Sequence, residues 1–100
     1  MSDDSRRLGI LNFWKSEKGY GFIRSAIEDF EGRIVRINNH HVVDTFLHVS
    51  QVERAGIKDI REGDILLFDV TTDPRTMKPR ASNIERVGHA DAESEKKAAA

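Results

Sequence analysis

From Leu8 to Val87 the apolar residues recur mostly with a period of two, not 3.6, in short runs separated by polar turns. This pattern argues against a helical bundle and asks for strands whose two faces differ. Five runs fit: Leu8 to Lys15, Gly19 to about Ala26, about Val42 to Val49, Asp64 to Thr71, and Ala81 to Val87. Turn-forming segments separate them: Ser16-Glu17-Lys18-Gly19, Arg61-Glu62-Gly63-Asp64 and Asp73-Pro74 to Pro79. So small a sheet removes its exposed edges best by closing, which predicts an all-β barrel or sandwich. The stretch from Arg24 to Val43 is long for a hairpin connection. Ile34-Val35-Arg36-Ile37 within it reads as an extra strand or hairpin, and Asn38-Asn39-His40-His41 as a turn. Ser50 is placed to cap a short helical turn after the third strand.

One hundred residues make one domain. Residues 1–7 and 88–100 lack large apolar side chains suited to a core, apart from Met1, and are expected to be loose tails around a domain spanning 8–87. The absence of cysteine excludes disulfides, thiolate metal sites and a cysteine nucleophile, and fits a reducing cytoplasm. The longest apolar runs, such as Ile65-Leu66-Leu67-Phe68, are far too short to cross a bilayer. A cytoplasmic protein without membrane anchoring is the expectation.

The most informative segment is Phe13-Trp14-Lys15-Ser16-Glu17-Lys18-Gly19-Tyr20-Gly21-Phe22-Ile23. Strand alternation puts Tyr20 and Phe22 on one face and Gly21 and Ile23 on the other. The glycines are expected to let backbone and ligand approach closely. In the third strand Phe46 and His48 share a face, opposite Thr45, Leu47 and Val49. With Leu47 and Val49 in the core, Phe46 and His48 face outward as cross-strand neighbours of Tyr20 and Phe22. Alternating aromatics also serve as half-buried packing. Four flat side chains exposed together instead mark a binding surface, on which bases can stack one after another. Lys15, Lys18 and Arg24 lie nearby to meet phosphates. Residues 8–87 carry twelve Lys and Arg against twelve Asp and Glu, so stacking must supply much of any affinity for nucleic acid.

At these residues the chain resembles the cold-shock domain family. Lys18-Gly19-Tyr20-Gly21-Phe22-Ile23 resembles its first nucleic-acid-binding motif, and Thr45-Phe46-Leu47-His48-Val49 its second. Gly9-Ile10-Leu11-Asn12-Phe13-Trp14 is similar to its first strand, Ile60-Arg61-Glu62-Gly63-Asp64 to the turn before strand four, and Pro79-Arg80-Ala81-Ser82-Asn83-Ile84 to its last strand. The resemblance implies a five-stranded Greek-key OB-fold barrel, here with an extra hairpin or strand between strands two and three. It also implies binding of single-stranded RNA or DNA with little sequence specificity, as an RNA chaperone or expression regulator. The chain departs from the family where Phe13 precedes Trp14, leaving open which of the two rings stacks. It departs again at Asn12, which replaces a lysine, and at Val49 and Ile57, where aromatics are usual or frequent.

Asp44 is a candidate for accepting a hydrogen bond from a base edge, or for capping a turn. Lys58, Lys78 and Arg80 either extend the basic track or are simply solvated, and Asp59, Glu62, Asp64 and Asp69 read as solvated acids. His40-His41 with Asp44 would be the material of a metal site, but adjacent residues of a strand point apart and a polar turn is the better reading. His89 falls in the loose tail. No nucleophile-elbow, phosphate-loop or paired-carboxylate motif is present, which argues against catalysis, a cofactor or a small-molecule substrate. A monomer or weak dimer acting on single strands is the leading expectation. A protein-interaction module on the same barrel is the alternative.

Overall fold

The period-two runs are strands, and the strands close into a ring. The structure is a computed structural model that describes residues 6–39 and 41–89. Its elements are β1 (Arg7–Lys15), β2 (Tyr20–Glu28), β3 (Ile34–Arg36), β4 (Thr45–His48), α1 (Val49–Arg54), β5 (Asp64–Thr72) and β6 (Pro79–His89). The strand order is β1-β5-β6-β4-β2-β3, and a further β1–β2 pairing closes the first five into a ring. All pairings are antiparallel except β4–β6, which is parallel through Phe46 and Arg80. This is the expected OB-type all-β architecture. The added strand β3 hangs from the outer part of β2 through Ala26↔Arg36, Ile27↔Val35 and Glu28↔Ile34.

Inward-facing residues fill the ring. Leu11, Ile23, Leu47, Leu66 and Phe68 are buried, with Val52 of α1, Ala81 and Ile84 packed against them. Burying each large side chain of this kind contributes about 1.5–3 kcal/mol. Register shifts interrupt β1 between Leu11 and Phe13, and the β5–β6 pairing at Ile65/Leu66 and Leu67/Asp69, where the extra residues lie on β6. Such bulges bend a long strand and let a small sheet curl around its core.

Several boundaries differ from the sequence-based expectation. β4 starts at Thr45, not at about Val42, and ends at His48 because the chain turns helical at Val49. The helix cap is His48, not Ser50: its imidazole Nδ1 accepts a hydrogen bond from the Ser50 N–H at 3.1 Å, so the imidazole satisfies a free donor of the first turn. β6 begins at Pro79 and continues through Gly88 and His89, two residues past the expected domain end. The reason is Asp64, which is 1% exposed and not solvated. Its carboxylate accepts from the Arg61 N–H at 3.1 Å and from Arg86 Nη1 at 3.2 Å, and meets His89 Nδ1 at 2.9 Å. A buried carboxylate needs such partners, and meeting it holds the end of β6 in place. At the other end Arg7 already belongs to β1, and Arg6 bonds to Glu85 and to the Asn83 and Leu67 carbonyls. The rest of the two expected tails, 1–5 and 90–100, lies outside the described residues.

The other acids also have partners. Glu62 accepts from the Trp14 N–H, and Asp69 from the Asn83 amide. Asp59 pairs with Arg86 at 2.8 Å, and the hydrogen bond from that guanidinium holds its carboxyl below the usual carboxylate range. The turn joining β2 to β3 is built on Asp29. Its side chain accepts from the N–H groups of Glu31 and Arg33 and from Arg33 Nε. The Arg33 backbone bond is the first cause of its lowered pKa. In the predicted turn at 38–41, Asn39 accepts from the N–H of His41 at its side chain and from that of Val42 at its carbonyl, while His40 lies outside the described residues.

Candidate functional site

The site is built on the antiparallel ladder between β2 and β4. Its register is Tyr20↔His48, Gly21↔Leu47, Phe22↔Phe46 and Ile23↔Thr45. Alternation turns the second and fourth of these pairs inward, and all four of their residues are buried. The first and third pairs point outward and stay half-exposed. Tyr20 and Phe46 are stacked, with ring centroids 5.9 Å apart and planes 28° from parallel. Phe22 meets Phe46 edge-on at 5.8 Å and Tyr20 edge-on at 6.1 Å, and His48 lies 6.3 Å from Phe46.

A fifth ring joins them from β1. Simple alternation from the buried Leu11 would turn Phe13 inward and leave Trp14 outside. The bulge reverses this. Leu11 pairs with Ile23, but the next paired residue is Phe13, opposite Phe22. Asn12 is the extra residue, and every side chain beyond it changes face. Phe13 therefore stands 40% exposed on the outer wall, 6.3 Å from Tyr20 and 6.2 Å from Phe22. Trp14 turns in, half-buried against the core with Ile57 and Ile60. Gly21 makes this possible. A Cβ there would sit 2.1 Å from the Phe13 carbonyl oxygen and 2.7 Å from the Trp14 ring. The close approach that requires glycine is thus between β1 and β2, not between backbone and ligand. Glu62 secures the bulge by accepting from the Trp14 N–H at 3.1 Å, while the Gly63 N–H donates to the Leu11 carbonyl at 2.8 Å.

The polar candidates are arranged around this wall. His48 is fixed by its capping bond: with Nδ1 accepting from Ser50, the neutral ring carries its proton on Nε2. The carboxylate of Asp44 is paired with Arg24 on β2. Arg80, paired in parallel with Phe46, holds its guanidinium 5.7 Å from the centre of that ring and 3.6 Å from Asp73. Lys15 and Lys18 flank the turn between β1 and β2, where the Lys18 N–H donates to the Lys15 carbonyl. Lys58 is apart from the rings, on the rim of an open cleft lined by Trp14, Val49, Val52, Ile57 and Ile60. The structure thus gathers Phe13, Tyr20, Phe22, Phe46, His48 and Arg80 on one wall. Trp14 and Lys58 belong to the neighbouring cleft.

Relatives of the chain carry one kind of name. It is 30% identical to the cold shock protein CspA of Rhizobium meliloti over 76 residues, 76% of this chain and 91% of the relative. It is 31% identical to a cold shock-like protein of Aquifex aeolicus over 80 residues, 80% of this chain and 93% of the relative. The chain belongs to the cold-shock protein family. A third relative, the cold shock protein ScoF of Streptomyces coelicolor, is 32% identical over 76 residues, covering 76% of this chain and 91% of its own. No protein-family model matches the chain. In this cold-shock domain the family motifs fall on the paired strands β2 and β4. Sequence reasoning passed over the pairing of Arg24 with Asp44, although the register contained it. If 20 pairs with 48 and 22 with 46, then 24 must face 44.

Proposed function

We propose that this cold-shock domain binds single-stranded RNA or DNA by stacking successive bases on Phe13, Tyr20, Phe22, Phe46 and His48. The binding is tolerant of sequence along the rings, and the protein acts as an RNA chaperone or expression regulator. One observation supports this above the others: five flat side chains share one outer wall, each within about 6 Å of a neighbour. Packing rings would be covered. These stay half-exposed at a cost in apolar hydration that a ligand would relieve. Each stacked base is worth about 1–3 kcal/mol whatever its identity. Lys15, Lys18 and Arg80 would supply the contacts to phosphates. Oligo-U and oligo-dT titrations followed by ring-proton shifts test the proposal. Shifts at Tyr20, Phe22 and Phe46 are expected, and their absence at low salt ends it.

The hairpin of β2 and β3 favours a second reading, a protein-interaction module. Phe30 at its tip is fully exposed, and the cross-strand pair Ile27 and Val35 is 54% and 43% exposed. Association that resists nuclease and Phe22→Ala but is lost in Phe30→Ser would support it.

A further inference from the structure

The outward rungs of the β2–β4 ladder do not stop at the rings. Continuing the register from Tyr20↔His48 and Phe22↔Phe46 brings Arg24 opposite Asp44, and the two side chains are ion-paired. The inward rungs between them are closed off in the core, with Ile23 at 0% and Thr45 at 5% exposure. Arg24 and Asp44 instead keep 23% of their side-chain surface open. The wall therefore ends in a planar, charged rung in line with its aromatic ones.

We propose that Arg24 and Asp44 together read the edge of one base, giving the wall a preference for guanine at a single position. The inference rests on the stacking proposal and deepens it. The guanidinium is held at two points: Nε donates to Asp44 Oδ1, and Nη1 to the Ile37 carbonyl at 3.3 Å. Among the described residues, Nη2 of Arg24 and Oδ2 of Asp44 have no further protein hydrogen bond. The pair thus offers N–H donors beside a carboxylate that still has acceptor sites. A phosphate, which only accepts, would satisfy the arginine and be repelled by the aspartate. A base edge carries donors and acceptors together and satisfies both. Guanine alone presents two adjacent donors, N1–H and N2–H, next to an acceptor, O6. A carboxylate followed by a guanidinium N–H is the complement of that edge.

The test uses the full chain and a set of oligo-U strands in which one guanine, adenine or cytosine is moved through each position. Wild type is expected to gain fivefold or more in affinity from guanine at one position. Asp44→Asn and Arg24→Gln are expected to flatten that profile to within twofold, with unchanged circular dichroism and melting curves identifying folded variants. Phe22→Ala is expected to weaken every strand while keeping the guanine ratio. A flat wild-type profile, a preference for another base, or a guanine preference that survives in both folded variants overturns the inference and leaves stacking standing. Failure to bind any strand overturns the stacking proposal and this inference with it.

Discussion

The two faces of the β2–β4 ladder, one aliphatic and one aromatic, meet opposite fates. Inside, Ile23 and Leu47 are fully buried, and Gly21 leaves room for Trp14 to cross beneath the sheet. Outside, one residue away in each case, Tyr20, Phe22, Phe46 and His48 touch one another and remain open to solvent. Rings that are held apart from the core by the pleat have exchanged burial for accessibility. The comparison teaches that stability and binding are separable within one strand, at intervals of a single residue. Substitutions on the inner face should cost folding, and substitutions on the outer face should cost ligand.

The strongest challenge to that separation is Leu47→Ala. The side chain is completely buried in the core cluster, so its loss leaves a cavity. Truncations of this kind cost about 2–5 kcal/mol. Denaturant unfolding should show that loss, with oligonucleotide affinity per folded molecule nearly unchanged. An affinity loss as large as that of Phe22→Ala would break the comparison.

Phe13 and Trp14 offer a sharper version, because the bulge sends two adjacent rings to opposite sides. Trp14→Ala should destabilise the fold by about 2–3 kcal/mol, less than the ~3–5 of a fully buried ring because the indole is half-exposed. Phe13→Ala should leave the unfolding midpoint close to wild type and weaken binding by about 1–3 kcal/mol, the worth of one stacked base. Paired unfolding and binding curves for the two variants check this. If the effects were exchanged, the bulge at Asn12 would have been assigned to the wrong residue.

That bulge also marks where sequence reading reaches its limit. Alternation in β2 and β4 placed Tyr20, Phe22, Phe46 and His48 together because both strands are regular where they pair. It could not choose between Phe13 and Trp14, since one inserted residue inverts every later side chain. The stabilisers of the insertion, Glu62 and Gly63, lie about fifty residues further along the chain. Long-range polar contacts were hidden for the same reason. Asp64 reads as a turn acid until Arg86 and His89 are brought to it across the β5–β6 pair. For His48 only its place among the outward rings was visible. Its capping bond to Ser50 depends on the strand ending one residue earlier than alternation suggested.

Asp64→Asn asks whether the inner face tolerates a lost charge. The amide keeps the shape and an acceptor for Arg61, but weakens the ion pair with Arg86 and the hydrogen-bonded contact with His89. A loss of about 1–3 kcal/mol is expected, as for a buried partner left poorly satisfied. Hydrogen exchange should report it first at Gly88 and His89, at the end of β6, and later or not at all at the ring-bearing segment 20–23. Equal loosening of both regions would show that the wall depends on this buried charge.

Acidification should produce the smallest effect, and it should fall away from the ring wall. Three aspartates have carboxyls held below the ordinary 3.8: Asp29 by backbone hydrogen bonds from Arg33 and Glu31, Asp59 by Arg86, and Asp73 chiefly by the Arg75 backbone N–H. A depressed folded-state value means the unfolded chain binds protons first. The stabilisation these groups give is therefore complete above the ordinary value, and it is lost as pH falls below 3.8 through each lowered one. Their positions name the segments that should loosen: the β2–β3 turn at Asp29, the approach to β5 at Asp59 and the β5–β6 turn at Asp73. Amide shifts of Glu31, Arg33 and Arg75, which donate to these carboxylates, should hold until pH falls below 3.8 and then move on the way to about pH 2.5. Ring contacts among Phe13, Tyr20 and Phe22 contain no group that gains a proton in this range, so their resonances should hold while the turn amides move. If the rings lost their dispersion before the turns did, the outer wall would owe its order to these charges and not to the pairing of β2 with β4.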